Sequence, residues 1–96
     1  MKVIAIGSLV QTITPEQRQQ IMPEEVSATL KHYLEGKIEQ FWFREKTGPI
    51  FLMNVESLEQ AKAELATLPL VAADLMTYEL MPVTPLSPLG LLIQGQ

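Results

Sequence analysis

The chain contains no cysteine, which removes disulfides, thiolate nucleophiles and thiolate metal sites together. It holds one histidine, so a metal site would have to be assembled almost entirely from carboxylates, and no metal is expected. No cofactor is expected either, because neither Gly7-Ser8 nor Gly48-Pro49 forms the glycine-rich loop before a helix that cradles phosphate. A serine nucleophile lacks the G-x-S-x-G context. Positive charge is scarce: 7 Lys and Arg stand against 11 Asp and Glu, for a formal net charge of -4 and a pI near 4.8. The basic residues form no run, so nucleic acid and anionic membrane are not expected partners. No stretch reaches the roughly 18 apolar residues of a membrane span. The apolar run Val3 to Val10 is followed by Gln11-Thr12-Ile13-Thr14 rather than a small-residue cleavage site, so it reads as a strand and not a signal peptide. A soluble, cytoplasmic protein is the expectation.

What the chain does have is apolar surface. Hydrophobic residues make up 47% of its 96 positions, and the mean hydropathy is +0.14. A domain of this size buries only about two-thirds of its unfolded surface. One domain spanning residues 1–96 is expected, with the apolar excess covered by self-association into a homodimer or a multiple of dimers.

Turn and capping residues divide the chain into elements. Lys2 to Val10 reads as a central strand. Thr14-Pro15-Glu16-Gln17 carries an N-cap, a first-turn proline and a capping-box glutamine, and Pro23 predicts a kink or restart near Met22. Val26, Leu30, Tyr33 and Leu34 recur at helical spacing, with Gly36 as the C-terminal cap. Ile38 to Arg44 and Ile50 to Val55 form a hairpin across a Gly48-Pro49 turn. Ser57 caps a second helix whose stripe is Leu58, Ala61, Leu65 and Leu68, ended by Pro69. Leu75 to Met81 is the last strand, with Pro82, Pro85 and Pro88 excluding regular pairing beyond it. The order β-α-β-β-α-β predicts an α+β, ferredoxin-like fold with an antiparallel four-stranded sheet.

Strand alternation sorts the sheet into two faces. Ile4, Ile6, Phe41, Phe43, Phe51, Met53, Val55, Met76, Tyr78 and Leu80 form the expected core face under the helices. The other face, with Val3, Ala5, Gly7, Leu9, Ile38, Gln40, Trp42, Arg44, Ile50, Leu52, Asn54, Thr77, Glu79 and Met81, is too apolar for water. A second sheet packed on it gives a dimeric α+β barrel. The apolar tail, residues 86–96, is expected to pack on a neighbouring subunit.

The segment Leu34-Glu35-Gly36, Phe41-Trp42 and Arg44 on a strand, then Val55, Ser57, Glu59, Leu68-Pro69-Leu70 and a last strand with Glu79, resembles the muconolactone delta-isomerase family. The resemblance covers Leu34 to Pro82. It implies a ferredoxin-like subunit, a homo-oligomer of barrel dimers and metal-free movement of a double bond within a small lactone bearing a carboxylate. The hairpin Glu45-Lys46-Thr47-Gly48-Pro49 is shorter than the family's, and Gln40 stands where the family can place a histidine. What carries over is a location, around Trp42 and Arg44.

Such an isomerase needs a general base and a cation for the substrate carboxylate. Glu79 and Arg44 are the candidate catalytic pair, with Trp42, Gln40, Asn54 and Thr77 as candidate substrate-binding residues around a small carboxylate ligand. The same face also suits a non-catalytic assembly module, since a Glu and an Arg on one sheet face more often form an interface ion pair and a tryptophan is more often a packing anchor. His32, beside Lys31, is expected at the surface, and Glu24 and Glu25 suit the first turn of a helix restarting at Pro23.

Overall fold

The computed structural model describes residues 1–84; the tail at 86–96 lies outside the described residues. The elements are β1 (Lys2–Leu9), α1 (Pro15–Leu34), β2 (Ile38–Arg44), β3 (Gly48–Asn54), α2 (Leu58–Ala66), α3 (Pro69–Ala72) and β4 (Met76–Val83). The strands form one sheet in the order β2-β3-β1-β4. Every neighbouring pair is antiparallel, so β1 and β2 run parallel with β3 inserted between them. This is the expected ferredoxin-like α+β topology.

Local chemistry fixes the helix ends. Thr14 accepts from the Gln17 N–H at 3.1 Å and Gln17 returns the bond to the Thr14 N–H at 3.0 Å, a reciprocal capping box. At the far end Gly36 adopts φ 82°, and the N–H groups of Gly36 and Lys37 return to the carbonyls of Tyr33 and His32, a Schellman stop that requires the left-handed conformation. Between these caps α1 runs unbroken through Pro23, so the restart expected at Met22 does not occur. Removing one backbone donor does not end a helix whose termini are both satisfied. The hairpin turn is also displaced: Glu45, Lys46 and Thr47 make it, with Lys46 at φ 68°, and Gly48-Pro49 belongs to β3. β4 continues through Pro82 to Val83, which an edge strand tolerates. Pro69 ends α2 as expected but also opens the short helix α3.

Two expected faces are reversed. On β1 the residues beneath the helices are Val3, Ala5 and Gly7, paired with Met53, Phe51 and Tyr78 on the neighbouring strands. Ile4 and Ile6 lie on the opposite face, level with Leu52, Ile50, Met81 and Glu79. Small residues are needed under the helices: a Cβ on Gly7 would stand 2.9 Å from the Tyr78 ring. On α1 the apolar stripe Val26, Leu30, Tyr33 and Leu34 is exposed. The inward side carries Ile21, Met22, Glu25, Ala28 and His32, of which Glu25 and His32 are the most buried. The core is completed by Phe51, Met53, Val55, Ala61, Leu65 and Leu68. Ile38, expected on the opposite face, lies in the core ahead of the irregularity in β2 between Ile38 and Gln40, while Phe41 and Phe43, expected within it, are exposed at the β2 edge.

Candidate active site

A cleft of about 710 Å³ opens between α1, the β2–β3 hairpin and the start of α3. Its helix wall runs at i, i+4, i+7 and i+11 through Arg18, Met22, Glu25 and Thr29, with Val26 and Leu30 of the exposed stripe beside them, as one side of a helix must. Phe41, Phe51, Leu70 and Met76 supply much of the rest. The result is a largely apolar pocket with few polar groups, the usual composition of a small-molecule site.

Glu25 is the chemically distinctive residue of that wall. It is only 6% exposed, and its carboxylate accepts one hydrogen bond, from the Leu70 N–H at 2.9 Å. Burial raises its pKa above the ordinary carboxylate range, and the Leu70 bond offsets part of that rise. Tyr78 lies close enough for the Glu25 charge to act on it: burial first, and then that charge, push the phenol well above its usual range. The Tyr78 ring stacks on Phe51 with centroids 5.4 Å apart and lines a smaller cavity beside β4; its hydroxyl is buried and has no hydrogen-bond partner among the described residues. A buried carboxyl with a raised pKa that faces a cleft is what a general base or acid requires.

The residues singled out from the sequence lie elsewhere. Gln40, Trp42 and Arg44 alternate along β2 with partners Leu52, Ile50 and Gly48 on β3, on the face turned away from the helices; Asn54, Thr77 and Glu79 share that face. Trp42 also reaches the rim of the cleft. Arg44 is on one edge strand and Glu79 on the other, three strand spacings or roughly 14 Å apart. The Arg44 guanidinium is committed to backbone, donating to the Gly7 carbonyl at 2.6 Å and the Gly48 carbonyl at 3.3 Å. Among the described residues neither Arg44 nor Glu79 makes an ion pair.

His32 is not at the surface. It is 7% exposed at the seam between α1 and α2, where its Nε2 lies 2.8 Å from Thr67 Oγ1 and its Nδ1 3.3 Å from Glu64 Oε2. The Thr67 hydroxyl donates to the Glu64 carbonyl at 2.6 Å, so Nε2 is the donor of the His32–Thr67 bond. Lys37 Nζ joins Glu64 at 3.1 Å and Glu35 at 3.3 Å. A hydroxyl, an imidazole and a carboxylate stand in a row, but Nδ1 makes no hydrogen bond among the described residues, and neither His32, Glu64 nor Thr67 lines the cleft or the smaller cavity beside β4. Its role is to tie two helices together.

Fold and cleft together define a ferredoxin-like α+β subunit with a carboxyl-bearing apolar pocket beneath its first helix. No family model matches the sequence, and no curated protein matches it. Solved structures do. Muconolactone isomerase superposes with a TM-score of 0.74 at 18% identity, covering 88% of this chain and 90% of that one. The 5-chloro-2-hydroxyhydroquinone dehydrochlorinase TftG of Burkholderia phenoliruptrix AC1100, in complex with 2,5-dihydroxybenzoquinone, superposes with a TM-score of 0.62 at 14% identity, covering 88% and 94%. At these identities what is shared is the fold. Among the described residues no helix is long and apolar enough to cross a membrane.

Proposed function

We propose that this chain is a muconolactone-isomerase-like protein that binds, and moves a proton within, a small unsaturated lactone or carboxylic acid. The observation that carries this reading is Glu25: a nearly fully buried carboxyl on the wall of an apolar cleft, with a single backbone partner and a raised pKa. A double-bond shift breaks one C–H bond, places its proton on the base and leaves a conjugated enolate. Returning that proton two carbons away forms the new C–H bond and restores the carboxylate. One base does both, and it works best when its pKa lies near the operating pH. Burial moves Glu25 in that direction. The fold shared with muconolactone isomerase supports the substrate class, and TftG, in complex with a dihydroxybenzoquinone, supports a one-ring ligand. Incubating the protein with unsaturated lactones in deuterium oxide tests the reading. Deuterium entering the ring positions flanking the double bond is expected; no exchange with any lactone would sink it.

The second reading concerns the open sheet face, which we propose as the contact for a second copy. Ile4, Ile6, Ile50 and Leu52 are half-buried there, and Trp42 and Met81 are exposed. This contiguous apolar patch is a poor fit to water, and an isologous contact would cover it. Gln40, Asn54, Thr77, Glu79 and the free edge of Arg44 would then meet their partners across the two-fold axis. Light scattering at micromolar concentration should give a dimer or a multiple of one, and Ile6→Glu should reduce it to a monomer. A wild-type monomer would remove the barrel.

A further inference from the structure

We infer that Arg18 is the specificity-determining cation of the cleft, holding the carboxylate of an organic acid whose reacting carbon lies at Glu25. The inference rests on the cleft being the ligand site, as proposed above.

Arg18 and Glu25 are seven residues apart on α1, about 20° short of two full turns, so they project from one side of the helix roughly 10.5 Å apart along its axis. Met22 lies between them, and all three line the cleft. The helix wall therefore presents a cation, then an apolar side chain, then a buried carboxyl. Phe41, Phe51 and Met76 offer only apolar surface to the body of a ligand. A molecule fitting this sequence has an anionic end, a flat apolar middle and a proton-labile end, in one orientation only.

The protein's two arginines are Arg18 and Arg44, and they differ in what they already hold. Arg44 is committed to two backbone carbonyls, whereas among the described residues Arg18 has no side-chain hydrogen bond or ion pair. Its planar fork is free to take a carboxylate through two parallel bonds. The other charges at the cleft, Glu45 and Lys46, are adjacent and opposite in sign, so they contribute little net field. Arg18 is exposed at the mouth, which keeps the anion partly solvated and limits the desolvation cost of binding it. A like anion nearer Glu25 would repel the carboxylate that has to act as base, so separating the two charges by two turns also leaves the base able to work.

Titration calorimetry with phenylacetate and its neutral isostere phenylacetamide, at neutral pH, tests the assignment. The wild type should prefer phenylacetate. Arg18→Gln should weaken phenylacetate about tenfold or more, the loss expected for a charge-assisted pair, while leaving phenylacetamide affinity and the melting temperature unchanged. Arg18→Lys should restore part of the preference. The inference is overturned if Arg18→Gln leaves phenylacetate within twofold, if Arg44→Gln produces the loss instead, or if the wild type binds neither probe. Failure of the isomerase reading looks different: a wild type that prefers phenylacetate through Arg18 but exchanges no lactone proton keeps the anchor and loses the reaction.

Discussion

α1 buries two ionisable side chains seven residues apart, Glu25 and His32, and surrounds them in opposite ways. His32 hydrogen-bonds Thr67 through one nitrogen, and its other nitrogen, without a hydrogen bond among the described residues, faces Glu64, with Lys37 behind that carboxylate. Glu25 has one backbone N–H and a cleft. A buried polar group enclosed by other polar side chains, away from any cleft, is held in place and inaccessible, and its value lies in joining elements. One that faces a cleft keeps lone pairs free for something that arrives later, and it carries a desolvation penalty until then. The histidine, the residue type most associated with proton transfer, is here the member of the pair closed off from any cleft, and the glutamate is the one that faces one.

The largest effect should come from Glu25→Gln. The amide oxygen keeps the Leu70 bond but no base remains, so turnover should fall by about 10²- to 10⁴-fold, read as lost deuterium incorporation. Thermal stability should hold or rise, because a desolvated charge has been removed. A variant that melts much earlier would instead make Glu25 a structural residue like His32.

Next in size is His32→Ala, which opens a small cavity and strands Thr67 and Glu64 at the helix seam. A loss of about 1–3 kcal/mol is expected, or several degrees in melting temperature for a domain of this size, with affinity for ligands in the cleft unchanged. If ligand affinity falls instead, the two regions are coupled and the contrast between them fails.

Much of this contrast was hidden from the sequence, for a physical reason that differs by element. The capping box at Thr14, the Gly36 stop, the Ser57 cap and Leu68-Pro69-Leu70 act locally, so the element order could be read directly. The phase of β1 could not, because Val3 to Gly7 is apolar on both sides and alternation carries no information when every position qualifies. The signal present was size: Ala5 and Gly7 share the parity of Val3, and small residues mark the face where Tyr78 approaches. On α1 the period holds, but the most hydrophobic stripe is not the one that packs on the sheet. Val26, Leu30, Tyr33 and Leu34 are the more hydrophobic set, yet Met22, Glu25, Ala28 and His32 face inward, and a pattern that ranks residues by hydropathy passes over a stripe containing Glu and His. Expecting Pro23 to restart the helix then made Glu25 look like a solvated first-turn acid. Arg18, two turns before it, could have been found by asking which basic residue shares its face.

The pH dependence of stability separates the two groups again, at smaller size. In the folded state Glu25 holds its proton more tightly than in the unfolded chain. Between its ordinary and its raised pKa the native state therefore binds more protons, and stability falls as pH rises through that window. The stability this proton contributes is fully present below the ordinary value and is lost once pH passes the raised one. Melting temperatures of wild type minus Glu25→Gln, followed from pH 4 upward, should decline and then level off, whereas a flat difference would mean that the carboxyl is as well solvated folded as unfolded.

The smallest effect expected is that of Tyr78→Phe, at a residue whose ring lines the smaller cavity beside β4 and not the cleft. The Tyr78 ring would keep its stack on Phe51 and its place over Gly7, so packing is conserved and only the hydroxyl is lost. That hydroxyl is buried without a partner among the described residues, and deleting an unsatisfied group removes a desolvation cost instead of a bond. Stability should stay level or rise by up to about 1 kcal/mol. Turnover decides what the hydroxyl is for. Because Tyr78 does not line the cleft, kcat and KM should both hold; a fall in kcat with KM unchanged would instead mean that the hydroxyl reaches the enolate oxygen formed when Glu25 takes its proton, an interaction made only in the transition state. A lower melting temperature would show that the hydroxyl already has a partner in the resting protein. Were that partner Glu25, its carboxylate would be enclosed by polar groups as His32 is, and the difference between the two positions on the helix would close.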